Sequence, residues 1–422
     1  MAHGGSWRAA LAALIGMTMA GCSTIERVAY TPVEAAHAEI PNMRNVRFSG
    51  DGSAVEFDRL RRDVVQQAAA RHASVSYLAL SGGGGDGAYG AGFLKGLSET
   101  GHRPEFTIVS GVSTGALMAP FVFLGPAYDA TLQTIYTSDF GASLVKDVNV
   151  LNGIFGNSLV DSDKLGRLIA RYIDDSILQK IAAEHRKGRR LLIATTNLDT
   201  QRSDVWDMGA IATSGAPNAL ALFRQVLAAS ASVPGLFPPR LIEVSAEGQS
   251  FKEMHVDGGT LRQLYVAPDE VIYGGGSGST GIKDLYILVN NKIDPTFTVV
   301  EDATVAVGAR SLATILKREG RNNVMSAYAY ATRNHISYHL AFIDAGVADL
   351  PADRAQEQFS PEYMTSLFNL GYERGKSVRP WDAAPPLTNP PLVQPETPPG
   401  VSASAPLASP ASTLATTAAT GG

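Results

Sequence analysis

The stretch that most constrains the fold is Gly111-Val112-Ser113-Thr114-Gly115. An apolar run, Phe106-Thr107-Ile108-Val109-Ser110, precedes it, and another, Ala116-Leu117-Met118-Ala119-Pro120-Phe121, follows. The order is strand, sharp turn carrying a serine, then helix, which is the setting a Gly-x-Ser-x-Gly nucleophile elbow needs. Gly111 and Gly115 have a steric role there, because strand and helix cross too closely for a β-carbon. The helix start beneath the Ser113 hydroxyl favours developing negative charge. An ordinary βα loop rich in Gly and Ser gives the same letters, so the assignment depends on the rest of the chain.

Two further stretches bear on it. Val75–Leu80 has the composition of a buried strand, and Ser81-Gly82-Gly83-Gly84-Gly85-Asp86-Gly87 follows before a helical run that includes Phe93-Leu94-Lys95-Gly96-Leu97. Four successive glycines leave backbone N–H groups unshielded at a helix start, which suits an anion. A Walker-type phosphate loop is excluded, since Gly87-Ala88-Tyr89 stands where Gly-Lys-Ser/Thr is required. A dinucleotide fingerprint fits Gly82, Gly84 and Gly87 literally; an oxyanion hole and a merely flexible loop are the other readings. Downstream, Phe251–Val256 ends in Asp257-Gly258-Gly259, either a carboxylate projected from a strand end or a plain β-turn.

Glycine loop, Gly-x-Ser-x-Gly and Asp-Gly-Gly, in that order, resemble the patatin-like phospholipase family. Leu78–Gly84 and Gly92–Leu97 are similar to that family's first block, and Ala229-Ser230-Ala231-Ser232-Val233-Pro234-Gly235-Leu236-Phe237-Pro238-Pro239 to the block before its aspartate. The resemblance covers about Val75 to Val289 and excludes both ends of the chain. It implies an α/β three-layer fold with a central, largely parallel sheet flanked by helices. It also implies a Ser–Asp dyad acting on phospholipid or other lipid acyl esters. Ser113 is then the nucleophile and Asp257 the proton acceptor, with the Gly83 and Gly84 N–H groups as oxyanion hole. Gly82, Gly85, Gly87, Gly111, Gly115, Gly258 and Gly259 complete the motifs. Burial beside a hydroxyl would lift an aspartate from its usual pKa of about 3.9 toward a useful basicity. One departure stands out: the family carries Arg or Lys where this chain has Asp86.

No metal or cofactor is called for. His255 shares a strand face with Asp257 and is expected to pack or orient near it. His335 and His339, at i and i+4 in an expected helix, lack the further ligands of a zinc motif and are taken as structural. Three other functions remain open: a Ser–His–Asp esterase using His335 or His339, a serine peptidase, and a non-catalytic envelope scaffold.

The 422 residues carry a formal net charge of −5 and no long cationic run, which argues against a nucleic-acid partner. Arg186-Lys187-Gly188-Arg189-Arg190 is expected as a solvated loop. Residues 1–21 have the form of a lipoprotein signal: Arg8, an apolar stretch from Ala9 to Ala20, then Met19-Ala20-Gly21-Cys22 ending in the only cysteine. Acylation of Cys22 would tether the protein to a bacterial envelope, at the outer membrane facing the periplasm. Residues 22–73 are expected as tether and lead-in helix, 74–380 as catalytic domain, and 381–422 as a disordered Pro/Ala-rich tail. Asn157–Asp161 is a candidate lid or substrate-binding region; Leu132, Ile135, Tyr136, Phe140 and Leu144 are candidate acyl-chain contacts, with core packing the favoured reading for most of them. Protein partners are unknown.

Overall fold

The computed structural model describes residues 27–52, 54–138, 164–274, 281–344 and 358–386. The chain separates into a unit Met1–Asn389 and a segment Pro390–Gly422. That segment lies outside the described residues, as do Cys22, Phe140, Leu144 and Asn157–Asp161.

Among the described residues nine strands form the sheet: β1 Arg47–Ser49, β2 Val75–Leu80, β3 Ile108–Gly111, β4 Arg190–Asn197, β5 Arg202–Asp207, β6 Arg240–Ala246, β7 Gln249–Asp257, β8 Ile282–Val289 and β9 Ser337–Phe342. The spatial order is β1-β5-β4-β3-β2-β8-β9, with β7 joining β4 and β6 joining β7. The run β4-β3-β2-β8-β9 is parallel. The remaining pairs are antiparallel. Every residue of β2 is buried, as in a strand covered on both faces. Its side chains alternate between two cores. Leu78 and Leu80 face one, with Phe93, Phe123 and Phe223; Tyr77 and Ala79 face the other, with Phe57, Val64 and Val324. This is the mixed, three-layer α/β architecture the motifs imply.

Five helices matter most: α1 Ala54–Ala70, α2 Gly87–Glu99, α3 Thr114–Leu124, α4 Thr304–Arg333 and α5 Pro361–Lys376. The tightest contact joins α2 to α5 through glycines spaced i, i+4 on each. A β-carbon on Gly92 would lie 1.9 Å from Phe368 O and one on Gly96 2.3 Å from Tyr372 O. Reciprocally, Gly371 would meet Tyr89 O at 2.0 Å and Gly375 would meet Phe93 O at 2.2 Å. Backbone therefore lies directly on backbone, and α2, which continues the glycine loop, is fixed by a helix from the far end of the unit.

Several expectations change. Part of the tether is built into the fold: β1 pairs with β5, a capping box at Thr31 starts a short helix, and Arg27 and Tyr30 bind Asp199. Arg189 and Arg190 are buried rather than solvated, because the Arg189 guanidinium donates to the Phe106 and Phe123 carbonyls while pairing with Glu184. Ala219–Ser230 is helical, and α5 starts at Pro361 with Ser360 as its N-cap. His335 and His339 do not share a helix. α4 stops at Arg333, His335 turns with φ 54°, and His339 lies on β9. At the start of the expected tail, Trp381 packs edge-on against Phe93 and Asp382 pairs with Arg374.

The α2–α5 contact sets a stability test. Gly371→Leu should lower the unfolding free energy by about 2–3 kcal/mol or more. Gly308→Ala, where an added β-carbon meets nothing within 4 Å, should be neutral or stabilise by about 0.5–1 kcal/mol. Urea unfolding followed by circular dichroism separates the two.

Candidate active site

The elbow forms because two glycines let three backbones converge. A β-carbon on Gly111 would sit 2.5 Å from Gly115 O, and one on Gly115 would sit 2.5 Å from Leu80 O and 2.6 Å from Ser81 O. Ser113, at the N-cap of α3, is forced to φ 55°, ψ −124°. Positive φ is costly for a residue with a side chain, and surrounding structure must hold it. Part of that hold is Ser230, whose Oγ accepts from Ser113 N (3.2 Å) and donates to Ala194 O (2.7 Å).

Strand register brings Asp257 to the same place. β3 has only four residues and pairs with β4 as far as Gly111 opposite Ile193. Beyond it the same edge of β4 is taken by β7, with Asp257 opposite Thr195. The last residue of β7 therefore arrives where the elbow leaves β3. Asp257 N donates to Ser232 O, and Oδ1 accepts from Gly259 N at 2.6 Å. Oδ2 is buried without a hydrogen-bond partner. Burial pushes the Asp257 carboxyl up to about 7, against the opposing pull of the Ser113 hydroxyl and the Gly259 N–H. The serine is thus close enough to favour the carboxylate, yet no well-formed hydrogen bond joins them. Ser113 is 6% exposed and Asp257 3%.

The glycine loop closes the site. Gly82 N donates to Gln263 O at 2.9 Å, and a β-carbon on Gly82 would come within 3.2 Å of Ser113 Cβ. Such an atom on Gly83 would strike Asn290 O at 1.7 Å, and on Gly85 it would strike Gln358 O at 1.9 Å. Gly87 packs on Thr114 Oγ1, Gly258 on Ala194 O, and Gly259 beside Asp257 and Gln263. Among the described residues the N–H groups of Gly83, Gly84 and Thr114 donate to no protein acceptor. They begin a 3₁₀ turn and a helix, where orphan donors are expected. Asp86, the departure from the family's cation, is buried and accepts from the Tyr363 hydroxyl of α5 at 2.9 Å. Burial raises its pKa to about 6, opposed by Tyr363 and by the charges of Lys292 and Lys317.

The histidines lie elsewhere. His255 places Nδ1 3.0 Å from Thr195 Oγ1 and Nε2 3.2 Å from Glu253 Oε2. With Asp204, these groups come within 4.8 Å of one another, as metal ligands do. The Arg47 guanidinium, however, binds both Glu253 oxygens and stands 3.7 Å from Asp204. Although burial opposes it, His255 and Arg47 hold the Glu253 carboxyl down to about 2. The cation of this cluster is an arginine. His339 stacks on Tyr286 and faces Asp284. Its strand is three sheet positions from β3, about 14 Å.

Sequence reading missed Gln263, Asn290 and Tyr363. Gln263 spans the site, taking the Gly82 N–H on its carbonyl and donating from Nε2 to Gly259 O. Asn290 grips Ser81 through its backbone N and its Nδ2. No motif marks them; Ser230 and Ser232, by contrast, lie inside a block the resemblance had picked out. A small crevice, with room for little more than a water, lies beside Ser81 and Gly82, between Gln263, Lys292 and the α4 residues Leu316, Lys317 and Gly320.

Residues 78–267 match the family model described as patatin-like phospholipase. An uncharacterized protein, R571 of Acanthamoeba polyphaga mimivirus, is 31% identical over 137 residues, which is 31% of this chain and 45% of that protein. The match thus spans under half of that relative's length. Among solved structures, VipD from Legionella pneumophila aligns over 70% of this chain and 67% of its own, with 14% identity and a TM-score of 0.33.

The buried carboxylate has a stability consequence. The folded protein holds the Asp257 proton more tightly than the unfolded chain, so stability falls as pH rises from the ordinary value of 3.8 to about 7. Asp257→Asn keeps an acceptor for Gly259 N–H and removes the charge. It should stabilise the protein by about 2–4 kcal/mol at pH 8, with the advantage vanishing toward pH 4. Denaturant titrations at the two pH values measure this.

Proposed function

Residues 78–267 of this chain belong to the patatin-like phospholipase family, and from that premise we propose that the protein is a lipid acyl hydrolase working through a Ser113–Asp257 dyad. The observation that carries the reading is the strained Ser113 beside a buried Asp257 whose Oδ2 has no partner. Ser113 Oγ attacks the ester carbonyl carbon as its proton passes to Asp257. The tetrahedral oxyanion is held by N–H groups of Gly83 and Gly84, with Thr114 N–H available as a third donor. Each such donor is worth about 2.7–4 kcal/mol in the transition state. Collapse expels the alcohol, which takes the proton from Asp257. Water then attacks the acyl-enzyme, Asp257 again accepting the proton; the bond to Ser113 Oγ breaks as Asp257 returns that proton to the serine oxygen, and the fatty acid leaves.

A dyad is favoured over a Ser–His–Asp triad by the histidines. Both His255 ring nitrogens face partners other than Ser113, and His339 lies on an edge strand. Asp86 does not displace the oxyanion donors, because its carboxylate is turned to Tyr363. The reading extends to location: acylation at Cys22 would hold the enzyme at an envelope membrane, where acyl lipids are concentrated. Among the described residues no helix is long and apolar enough to cross a membrane.

Labelling with a fluorophosphonate probe, alongside turnover of a short-chain p-nitrophenyl ester, tests the dyad. Ser113→Ala should abolish labelling and lower kcat by roughly 10³-fold or more. Asp257→Asn should behave nearly as severely, and His255→Gln should stay labelled. Labelling that persists in Ser113→Ala overturns the assignment. For the wild type, kcat/KM should climb about tenfold per pH unit below the Asp257 pKa of about 7 and level off above it.

A further inference from the structure

The glycine loop has the least of its own to hold it in place. Gly82–Gly85 carry no side chains, and Gly84 sits at φ 59°. Such a turn has more backbone freedom to lose than any other sequence would give it. Among the described residues the Gly83 and Gly84 N–H groups donate to no protein acceptor, so the donors do not fix themselves. An oxyanion hole works only when its donors are aimed in advance. Something outside the glycines must therefore set the turn.

The first side chain after the glycines is Asp86. It closes the 3₁₀ turn Gly84–Asp86, donating its N–H to Gly83 O at 3.1 Å, and it is the N-cap of α2. An aspartate in that position ordinarily accepts an N–H of its own helix. Asp86 makes no such bond. It is buried, and its Oδ1 accepts at 2.9 Å from the hydroxyl of Tyr363, 277 positions along the chain. Burial and the Asp86 charge keep the proton on Tyr363, so the hydroxyl is the donor. Burial works against the Asp86 charge, while Tyr363, Lys292 and Lys317 favour it.

Tyr363 comes from a rigid element. Its N–H donates to the Ser360 N-cap at 3.2 Å, and α5 lies on α2 backbone to backbone. The chain just before α5 covers the two preceding loop residues, the Gln358 carbonyl lying against Gly85 and the Phe359 ring against Gly84. Asn290, just after β8, closes on Gly83. We propose that Asp86 and Tyr363 are positioning residues: the carboxylate–hydroxyl pin between the N-cap of α2 and the first turn of α5 holds the 3₁₀ turn in the shape that aims the Gly83 and Gly84 N–H groups at the oxyanion. The pin touches no reacting atom, and its catalytic effect rests on the hydrolase reading above. It gives a role to an aspartate that stands where the family carries a cation.

A double-mutant cycle on the full chain tests the pin. Asp86→Ala and Tyr363→Phe should each lower kcat for a soluble p-nitrophenyl ester roughly 10- to 100-fold, with KM within about twofold of the wild type. The double variant should lose no more than the worse single one, since either change breaks the same bond. Asp86→Asn, which keeps an acceptor, should recover most of the loss. A trifluoromethyl ketone, whose adduct with Ser113 carries an oxyanion, should lose affinity in step with kcat/KM. Tyr372→Phe, whose hydroxyl meets Glu99 farther along α5, should keep the wild-type kcat. Amide hydrogen exchange reads the pin without turnover. The Asp86 and Gly87 N–H groups close the turn, and in Tyr363→Phe they should exchange roughly tenfold faster or more, while those of β2 stay protected. Unchanged exchange in Tyr363→Phe, additive losses in the double variant, a loss in KM instead of kcat, or an Asp86→Asn as impaired as Asp86→Ala would overturn the proposal. Faster exchange in Tyr363→Phe, with a wild type that neither hydrolyses the ester nor takes the fluorophosphonate label, would fault the hydrolase reading and not the pin.

Discussion

Everything at the site depends on a backbone crossing that tolerates no β-carbon. The end of β3, the start of α3 and the end of β2 approach so closely that Gly115 rests on two carbonyls of the neighbouring strand end, Leu80 and Ser81. That contact forces Ser113 into positive φ and lifts its side chain out of the strand. It also sets the glycine loop against the elbow, with Gly82 beside Ser113. A larger residue at Gly111 or Gly115 would separate the layers that the hydrolytic reading needs together.

The crossing is surrounded by supports that touch the elbow or the loop without sharing in any bond change. Ser230 and Ser232, one turn of chain, hold the backbone N–H groups of Ser113 and Asp257 respectively. Gln263 ties Gly82 to Gly259, and Asn290 ties the end of β8 to Ser81. α5 presses on α2 through four glycines and supplies Tyr363 to Asp86. An aspartate in place of a cation therefore changes what anchors the loop from below, while the N–H groups above it remain. Since α5 lies beyond residue 267, the segment matching the family is braced by chain outside that match.

The electrostatics of the two carboxylate sites differ for a physical reason. Glu253 is buried beside a guanidinium and an imidazole, so it stays charged far below neutral pH. Asp257 is buried with a hydroxyl and one N–H for company, so its proton is held to about pH 7. Burial alone costs both of them; a neighbouring cation makes the difference. The first arrangement builds structure, and the second leaves a carboxylate ready to exchange a proton.

Local pattern was enough to determine much of this protein. The continuous apolar run of β2 and the glycines around Ser113 are short-range features, and each forms where the sequence indicated. Long-range features were not legible in that way. The helix expected to carry His335 and His339 fails because the chain breaks after Arg333 to feed the fifth strand of the parallel run, β9, which periodicity cannot foresee. Arg189 looked like a solvated loop residue because its acceptors, the Phe106 and Phe123 carbonyls, lie more than sixty positions away. Likewise, only the brevity of β3, which frees the edge of β4 for β7, decides that Asp257 meets Ser113. Motifs named Ser113 and Asp257; tertiary register and close packing brought them together, because hydrogen-bonded pairing between distant strands leaves no trace in neighbouring residues.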